Sequence, residues 1–356
     1  MIGALGALAR PWLSLLPPER AHRAAIAALK FLPRSSTKAP DPRLGVDAFG
    51  LRFAHPLGLA AGFDKNAEVP DALLALGFSF VEVGTLTPLP QRGNAEPRMF
   101  RLPADAAVIN RMGFNNAGFA AARARLAVRA SAGILGVNFG PNKDAVDRIA
   151  DYVLGVKTFA DAASYFTINV SSPNTAGLRD LQQRDAFDEL VACVVEAREA
   201  APTRRPVLIK IAPDLDLRAL DDVVEVAISR GADGLIVSNT TIARPSTLLD
   251  RRSRETGGLS GRPLFPASTH LLARAYLRCG GTLTLIGCGG VEDAATALAK
   301  IHAGATLIQL YTSFAYRGPR VIHDILEGLK AAVTENRVQS IASLVGVKAR
   351  EYAVAA

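Results

Sequence analysis

The sequence has little of what disulfide frameworks and metal sites need. Its three cysteines, Cys193, Cys279 and Cys288, are widely spaced and form no CxxC pair, and its five histidines show no metal-ligand spacing. We therefore expect a reducing compartment and no metal. Aromatic residues make up only 6% of the chain against a hydrophobic fraction of 49%, which is typical of an aliphatic globular protein.

The sequence also lacks a secretory signal and a membrane span. Its first apolar stretch begins at Met1 with no basic segment before it. Arg10 and Pro11 interrupt this stretch after about half the length that a span needs.

The net charge of +8 is unevenly distributed. Residues 1–40 contain six Lys and Arg residues against one acidic residue, Glu19, so most of the excess lies in this segment. The rest of the chain shows no basic face with interleaved aromatic residues, so no nucleic-acid partner is expected. An anionic membrane surface fits the basic segment better.

The N-terminal segment has the pattern of two short helices separated by Pro17-Pro18. In the second, Arg20, Arg23 and Lys30 recur at helical spacing, and the apolar side holds Ala25, Leu29 and Leu32. Such helices would lie on a membrane surface as a peripheral arm. The alternative is a helical pair packed on the main domain.

Eight apolar runs, most followed by an amphipathic helical stretch, occupy the chain after a predicted hairpin whose turn lies near Gly50. The runs are unbroken, as expected for parallel strands covered on both faces. They predict a (β/α)8 TIM barrel. An open doubly wound sheet is the competing fold, but no GxGxxG follows the first run. The predicted divisions are an N-terminal helical extension and linker (1–43), the barrel (44–335) and a C-terminal helical tail (336–356).

Polar residues stand at the C-terminal end of nearly every predicted strand, which in a barrel is the active-site face. They are Asp64, Lys65, Gly84, Thr85, Asn138, Ser172, Asn174, Lys210, Ser238, Asn239, Thr240, Gly289, Gly290, Tyr311 and Thr312.

Two glycine-rich turns predict a phosphate site. IGCGG ends the seventh strand before a helix, and a barrel often binds phosphate after its last two strands, where Gly290 and Tyr311-Thr312 stand. TGGLSGRP, which contains Gly261, could close on the same phosphate. The alternative is a tight structural turn.

Two lysines at strand ends, Lys65 and Lys210, should point into the pocket. A buried lysine needs an anionic partner or a lowered pKa, so either could hold a carboxylate or an electron-rich ring. A Schiff-base role is an alternative, as is a surface lysine.

Amide and hydroxyl groups suggest the substrate. The segment INRMGFNN supplies Asn110 and Asn115, and other loops supply Asn174 and Asn239. Because an amide both donates and accepts hydrogen bonds, this set suits a pyrimidine-like ring. Ser172 would need a relay, through water or Thr175, to act as a base, and a capped turn is the alternative.

The ordered motifs AAGFDKN, EVGTLTP, GNAEPRMFRLP, INRMGFNNAG, INVSSPNTAGLRDLQ, IKIAPDL, SNTT, TGGLSGRPL, IGCGG and IQLYT resemble those of class 2 dihydroorotate dehydrogenases. The resemblance runs from about residue 17 to residue 330. Class 1 relatives would carry cysteine where Ser172 stands and would lack the N-terminal extension, so both features indicate class 2.

The resemblance implies oxidation of dihydroorotate to orotate in de novo pyrimidine synthesis. One non-covalent FMN per chain would be the first acceptor, and ubiquinone or menaquinone the second. Ser172 matches the base that removes the C5 proton while hydride leaves C6. Such enzymes are peripheral on the cytoplasmic face of the bacterial inner membrane.

The resemblance also assigns binding residues. The substrate positions are Lys65, Asn110, Arg111, Met112, Gly113, Phe114, Asn169, Asn174, Asn239 and Thr240. The flavin positions are Ala60, Ala61, Gly62, Lys65, Thr85, Asn138, Asn169, Lys210, Ser238, Gly261, Gly290, Tyr311 and Thr312. His22 and Arg101 match positions near the quinone tunnel. Ser238 stands where threonine is expected, a change that keeps the hydroxyl.

Overall fold

Eight parallel strands close into a barrel in the computed structural model, which describes residues 15–31, 40–129 and 133–354. In chain order the strands are β1 (Val46–Ala48), β2 (Leu51–Phe53), β3 (Leu57–Leu59), β4 (Phe80–Leu86), β5 (Met99–Leu102), β6 (Ala107–Asn110), β7 (Ile134–Phe139), β8 (Tyr165–Asn169), β9 (Val207–Ile211), β10 (Gly234–Val237), β11 (Gly258–Gly261), β12 (Thr284–Cys288) and β13 (Leu307–Leu310). The barrel is β3, β4, β7, β8, β9, β10, β12 and β13, and β13 pairs with β3 to close it. The predicted barrel is confirmed.

Eleven α-helices lie in the described residues; the first precedes every strand, and most of the others form the outer layer of the barrel. They are α1 (Pro18–Leu29), α2 (Pro70–Ala75), α3 (Gly118–Ala127), α4 (Arg148–Phe159), α5 (Arg184–Glu199), α6 (Leu217–Ser229), α7 (Phe265–Cys279), α8 (Ala294–His302), α9 (Thr312–Arg317), α10 (Arg320–Glu335) and α11 (Ala349–Val354). Three of them begin after an aspartate whose carboxylate accepts a hydrogen bond from the first turn, at Asp147, Asp216 and Asp293. Every residue of β4, β8 and β9 is buried, because α-helices cover the outside of a barrel whose inside is filled by side chains.

Two small sheets lie outside the barrel. β1 and β2 form the predicted hairpin, with its turn at Phe49-Gly50. β5, β6 and β11 form an antiparallel sheet that sequence analysis missed. Its strands come from two long loops at the C-terminal end of the barrel strands, so the sheet becomes a wall of the barrel mouth.

Helix α1 packs against the barrel mouth and buries Ala21, Ile26 and Leu29. The Glu19 carboxylate accepts a hydrogen bond from Arg98 Nε at 2.8 Å, and this arginine is itself buried. Lys30 forms an ion pair with Glu68 at the other end of the helix. The second predicted helix therefore exists and is docked on the main domain.

The first predicted helix and most of the predicted linker, including Leu32, lie outside the described residues. Within the described ranges, no helix is both long and apolar enough to cross a bilayer. At the other end of the chain, α11 buries Ala349 and Ala353, and His270 Nδ1 lies 3.1 Å from the carbonyl oxygen of Tyr352. The predicted C-terminal tail is therefore packed against the barrel's outer helices.

Candidate active site

A cavity of about 600 Å³ opens at the barrel mouth between the strand ends, the antiparallel sheet and α1. Nearly all of the residues predicted from the sequence line it. These are His22, Ala60, Ala61, Gly62, Lys65, Thr85, Arg101, Asn110, Met112, Gly113, Phe114, Asn169, Ser172, Asn174, Lys210, Ser238, Asn239, Thr240, Gly261, Gly290, Tyr311 and Thr312.

Two predicted binding residues do not reach the cavity. The Arg111 guanidinium turns away, donates to Glu255 Oε2 at 2.9 Å and lies over the Phe100 ring. The Arg111 side chain therefore does not line the cavity, and the assignment of this residue to substrate binding stays a prediction. Asn138 lies one layer behind the wall, where it accepts a hydrogen bond from Thr85 Oγ1 at 2.7 Å. Asn138 thus supports a cavity residue without lining the cavity.

Below the cavity floor lies a fully buried carboxylate, Glu82 on β4. Its oxygens accept four hydrogen bonds, from Asn138 Nδ2 (2.8 Å), Tyr165 Oη (3.1 Å), Thr167 Oγ1 (3.0 Å) and Gln309 Nε2 (2.9 Å). These donors come from three other barrel strands. A buried charge is tolerated only with such partners. Sequence analysis missed Glu82, although a charge inside the apolar run SFVEVGT was the available signal.

The predicted asparagines converge on one region of the cavity. Asn169 Nδ2 donates to Thr85 Oγ1 at 3.0 Å, while its Oδ1 accepts from Asn239 Nδ2 at 3.2 Å. Asn174 Nδ2 lies 3.4 Å from Asn110 Oδ1. Asn115 Oδ1 is buried and has no hydrogen-bond partner among the described residues. Amides held by their neighbours in this way present donors and acceptors to a small polar ring.

Ser172 lies on the loop after β8, beside the asparagines, and is mostly buried. Its Oγ accepts a hydrogen bond from the backbone N–H of Asn174 at 3.3 Å. In the described part of the chain, no hydrogen bond joins Ser172 to Thr175, the relay residue considered from the sequence. The relay through Thr175 is therefore not formed in this structure, and the relay through water stays a prediction.

Both predicted lysines point into the cavity. Lys65 Nζ donates to the Gly62 carbonyl at 2.7 Å. Burial lowers the pKa of Lys65 to about 8, while the charge of Glu19 on α1 opposes this shift. Lys210, on β9, is 6% exposed. The two lysines therefore offer amine groups to ligands at the cavity wall.

The glycine turns form a cradle whose backbone packs too closely on the protein behind it to carry a side chain. Gly261 and Gly290 both have positive φ, and a Cβ on Gly290 would overlap Phe265. No acceptor for the backbone N–H of Gly290 or Thr312 is found in the described ranges. Thr312 Oγ1 donates to Ser260 Oγ at 2.9 Å, which draws the two predicted phosphate loops together. Free N–H groups beside glycines of this kind suit a phosphate.

The opposite end of the cavity is largely apolar and is closed by α1. Pro18, Ala21 and Ala25 of the helix line it, together with His22. Burial, the largest cause, lowers the pKa of His22 to about 3, so this imidazole is neutral at physiological pH. Arg101 Nη1 donates to the Leu16 carbonyl at 2.9 Å. This end has apolar walls with a few polar groups, which suits a hydrophobic ring that carries carbonyl groups.

A closed (β/α)8 barrel with this mouth has the architecture of an enzyme that acts on a small polar ring with a phosphate-bearing cofactor. Comparison with known proteins narrows the class. A family model described as dihydroorotate dehydrogenase matches residues 43–333. The chain therefore belongs to the dihydroorotate dehydrogenase family, which implies a flavin cofactor.

Individual relatives are similar to this chain over nearly its full length. A dihydroorotate dehydrogenase (quinone) of Bradyrhizobium diazoefficiens is 56% identical over 354 residues, covering 98% of this chain and 97% of that protein. One from Rhodopseudomonas palustris (strain BisA53) is 54% identical over the same length. The crystal structure of DHODH in complex with ferulenol from Eimeria tenella has a TM-score of 0.89 and 41% identity, covering 94% of this chain and 96% of that chain. These relatives indicate the quinone-dependent class.

The Glu82 network yields a first prediction. Glu82→Ala should lower the free energy of unfolding by several kcal/mol, because it leaves four buried donors without their acceptor and each unsatisfied donor costs about 1–3 kcal/mol. Glu82→Gln keeps the volume and one oxygen, so its loss should be smaller. Urea unfolding followed by circular dichroism measures both. Equal stability of Glu82→Ala and the parent protein would show that the network is not structural.

Proposed function

We propose that this chain oxidises dihydroorotate to orotate, with one non-covalent FMN per chain as first acceptor and ubiquinone or menaquinone as second. The observation that carries the proposal is the single cavity that holds the glycine cradle, the converging amides with Ser172 and Lys65, and the apolar end beneath α1. These three parts match a phosphate, a pyrimidine carboxylate and a quinone. The family and its quinone-dependent relatives support the same reaction.

In this proposal the side chains divide the substrate between them. The Lys65 ammonium pairs with the substrate carboxylate, and the amides of Asn110, Asn174 and Asn239 bind the ring edges. The Ser172 hydroxyl takes up the C5 proton as its own proton passes to water. Gly261, Gly290 and Thr312 would hold FMN by its phosphate, and FMN would supply an acceptor for the hydride from C6 and a route for two electrons to the quinone. Lys210 would stabilise negative charge on the reduced ring.

The cofactor is the first point to test. Purified protein should be yellow, and denaturation should release FMN in a one-to-one ratio with the chain, because the cradle at Gly261 and Gly290 fits a terminal phosphate. Chromatography of the released flavin identifies it. FAD, or folded protein without flavin, would contradict the proposal.

The role of Ser172 is tested by its removal. Ser172→Ala should slow flavin reduction by dihydroorotate by about 10²–10⁴-fold, because a positioned base contributes that much, and should leave orotate binding nearly intact. Stopped-flow bleaching of the flavin measures reduction, and the perturbed flavin spectrum measures orotate binding. Ser172→Cys, which keeps an acid–base side chain, is the matched variant and should retain more activity than Ser172→Ala. Parent-like reduction in Ser172→Ala would remove the serine from the mechanism.

The lowered pKa of Lys65 predicts how substrate affinity depends on pH. Below about pH 8 the free lysine is charged, and the orotate carboxylate raises its pKa further, so binding is tight and nearly constant. Above pH 8 the free lysine is neutral and must take up a proton on binding. Affinity for orotate should then fall by up to about tenfold per pH unit. Titrations from pH 6 to 9 test this.

Lys65→Met supplies the control for the pH profile. This variant should bind orotate more weakly at every pH and should lose the decline above pH 8. A decline that persists unchanged in Lys65→Met would assign the titration to another group.

A peripheral membrane surface is proposed from α1, on the cytoplasmic face that the family resemblance implies. Arg20 and Arg23 are exposed on this helix, while Pro18, Ala21 and Ala25 line the cavity. Arg20→Glu together with Arg23→Glu should weaken binding to anionic vesicles at least tenfold, since each basic residue near such a surface contributes about 1 kcal/mol. Turnover with a long-chain quinone in vesicles should fall, whereas flavin reduction by dihydroorotate should not.

The matched control reverses the same charge elsewhere. Lys157 and Arg337 are exposed at or just after the C-terminal ends of α4 and α10, at the end of the barrel opposite the mouth. Lys157→Glu with Arg337→Glu should leave vesicle binding nearly unchanged. Equal losses in both double variants would show a dependence on net charge alone and would leave α1 with only a packing role.

A further inference from the structure

A lysine outside the proposed site is completely buried behind the glycine cradle. Lys300, on α8, is 0% exposed. Its Nζ donates to Ser268 Oγ at 2.7 Å and lies 5.2 Å from the centre of the Phe265 ring. In the described part of the chain, no carboxylate pairs with it. Burial lowers the pKa of Lys300 to about 7. A buried ammonium with a hydroxyl and a ring as its neighbours is expensive to keep charged.

The groups that hold Lys300 also form the back of the proposed phosphate turn. Ser268 Oγ lies 3.0 Å from the Gly289 carbonyl oxygen. A Cβ on Gly289 would lie 2.9 Å from Ser268 Oγ, and one on Gly290 would overlap the backbone of Phe265. The ammonium therefore lies behind a wall one residue thick, whose front face lines the cavity at Gly289 and Gly290.

At this position, the phosphate of the proposed cofactor is the anion that would balance the charge of Lys300. A dianion held at Gly290 would favour the charged form of Lys300, which has no exposed surface through which solvent could screen the two charges. Charges in such a medium interact strongly, because little solvent screens them. An aliphatic side chain would fill the same volume at a lower cost, so packing alone gives no reason for an ammonium at this position.

We propose that Lys300 is a positioning residue for the cofactor, whose buried charge stabilises the phosphate at the Gly289-Gly290 turn from behind and thereby makes the site prefer a phosphorylated flavin. The inference rests on the proposed function, because it takes FMN as the cofactor. It adds to the proposed cofactor site a residue that lies outside the cavity wall. The preference should reside in the charge of Lys300 and not in its contacts, because Nζ does not reach the cavity.

Competition between two flavins on the holoenzyme tests the inference. Holoenzyme is equilibrated with mixtures of FMN and riboflavin, separated from free flavin, and the bound flavins are quantified by chromatography. Riboflavin lacks only the phosphate. In Lys300→Met the preference for FMN over riboflavin should fall at least about tenfold, the scale of losing one partner of a buried charge pair. The affinity of Lys300→Met for riboflavin should be roughly that of the parent protein.

Two further variants separate charge from packing. Lys300→Gln keeps a donor for Ser268 and makes the same comparison if Lys300→Met does not fold. Val223→Ala removes buried volume from α6, on a different outer helix, and should weaken both flavins equally. An unchanged FMN preference in the folded Lys300 variants would overturn the inference. Release of a flavin other than FMN from the parent protein would instead overturn the proposed cofactor, so the two failures are distinguishable.

Discussion

The carboxylate of Glu82 is the interaction on which the barrel mouth depends. It is buried below the cavity, and its four donors come from three other strands of the barrel. One of those donors, Asn138, accepts from Thr85, and Thr85 accepts from Asn169. The chain of hydrogen bonds thus runs from the centre of the barrel to the amides that face the substrate. Because each linking group in this chain both donates and accepts a hydrogen bond, the mouth has one arrangement of donors and acceptors.

The same hydrogen-bond network reaches both the side of the cavity predicted for the flavin and the side predicted for the substrate. Thr85 and Asn169 lie on the side predicted for the flavin, whereas Asn169 Oδ1 also fixes Asn239 on the side predicted for the substrate. A single amide therefore aligns both parts. The proposed reaction needs two reactants at van der Waals distance in one orientation, and shared hydrogen-bond partners would help to hold that orientation.

Much of this was predictable from the sequence, for identifiable reasons. Unbroken apolar runs fixed the strands, and the polar residues at their ends could only gather at one face of a barrel. The antiparallel sheet was missed because β5, β6 and β11 are short and come from two distant loops. The direction of the Arg111 side chain was not predictable, because a motif gives an order of residues but not a side-chain direction, which here is set by Glu255 and the Phe100 ring. Lys300 escaped notice because its helix pattern resembles that of any amphipathic helix.

The ion pair between Glu19 and Arg98 has a consequence for how such enzymes can be recombined. Glu19 also acts on Lys65 through its charge, raising the pKa of that lysine against the effect of burial. The segment that borders the apolar end of the cavity thereby adjusts the protonation of the lysine that we propose meets the substrate. A chimera that exchanges N-terminal segments between relatives would transfer part of the substrate's affinity along with the arm. The N-terminal segment can be exchanged as a piece of sequence, but its electrostatic effect on Lys65 is exchanged with it.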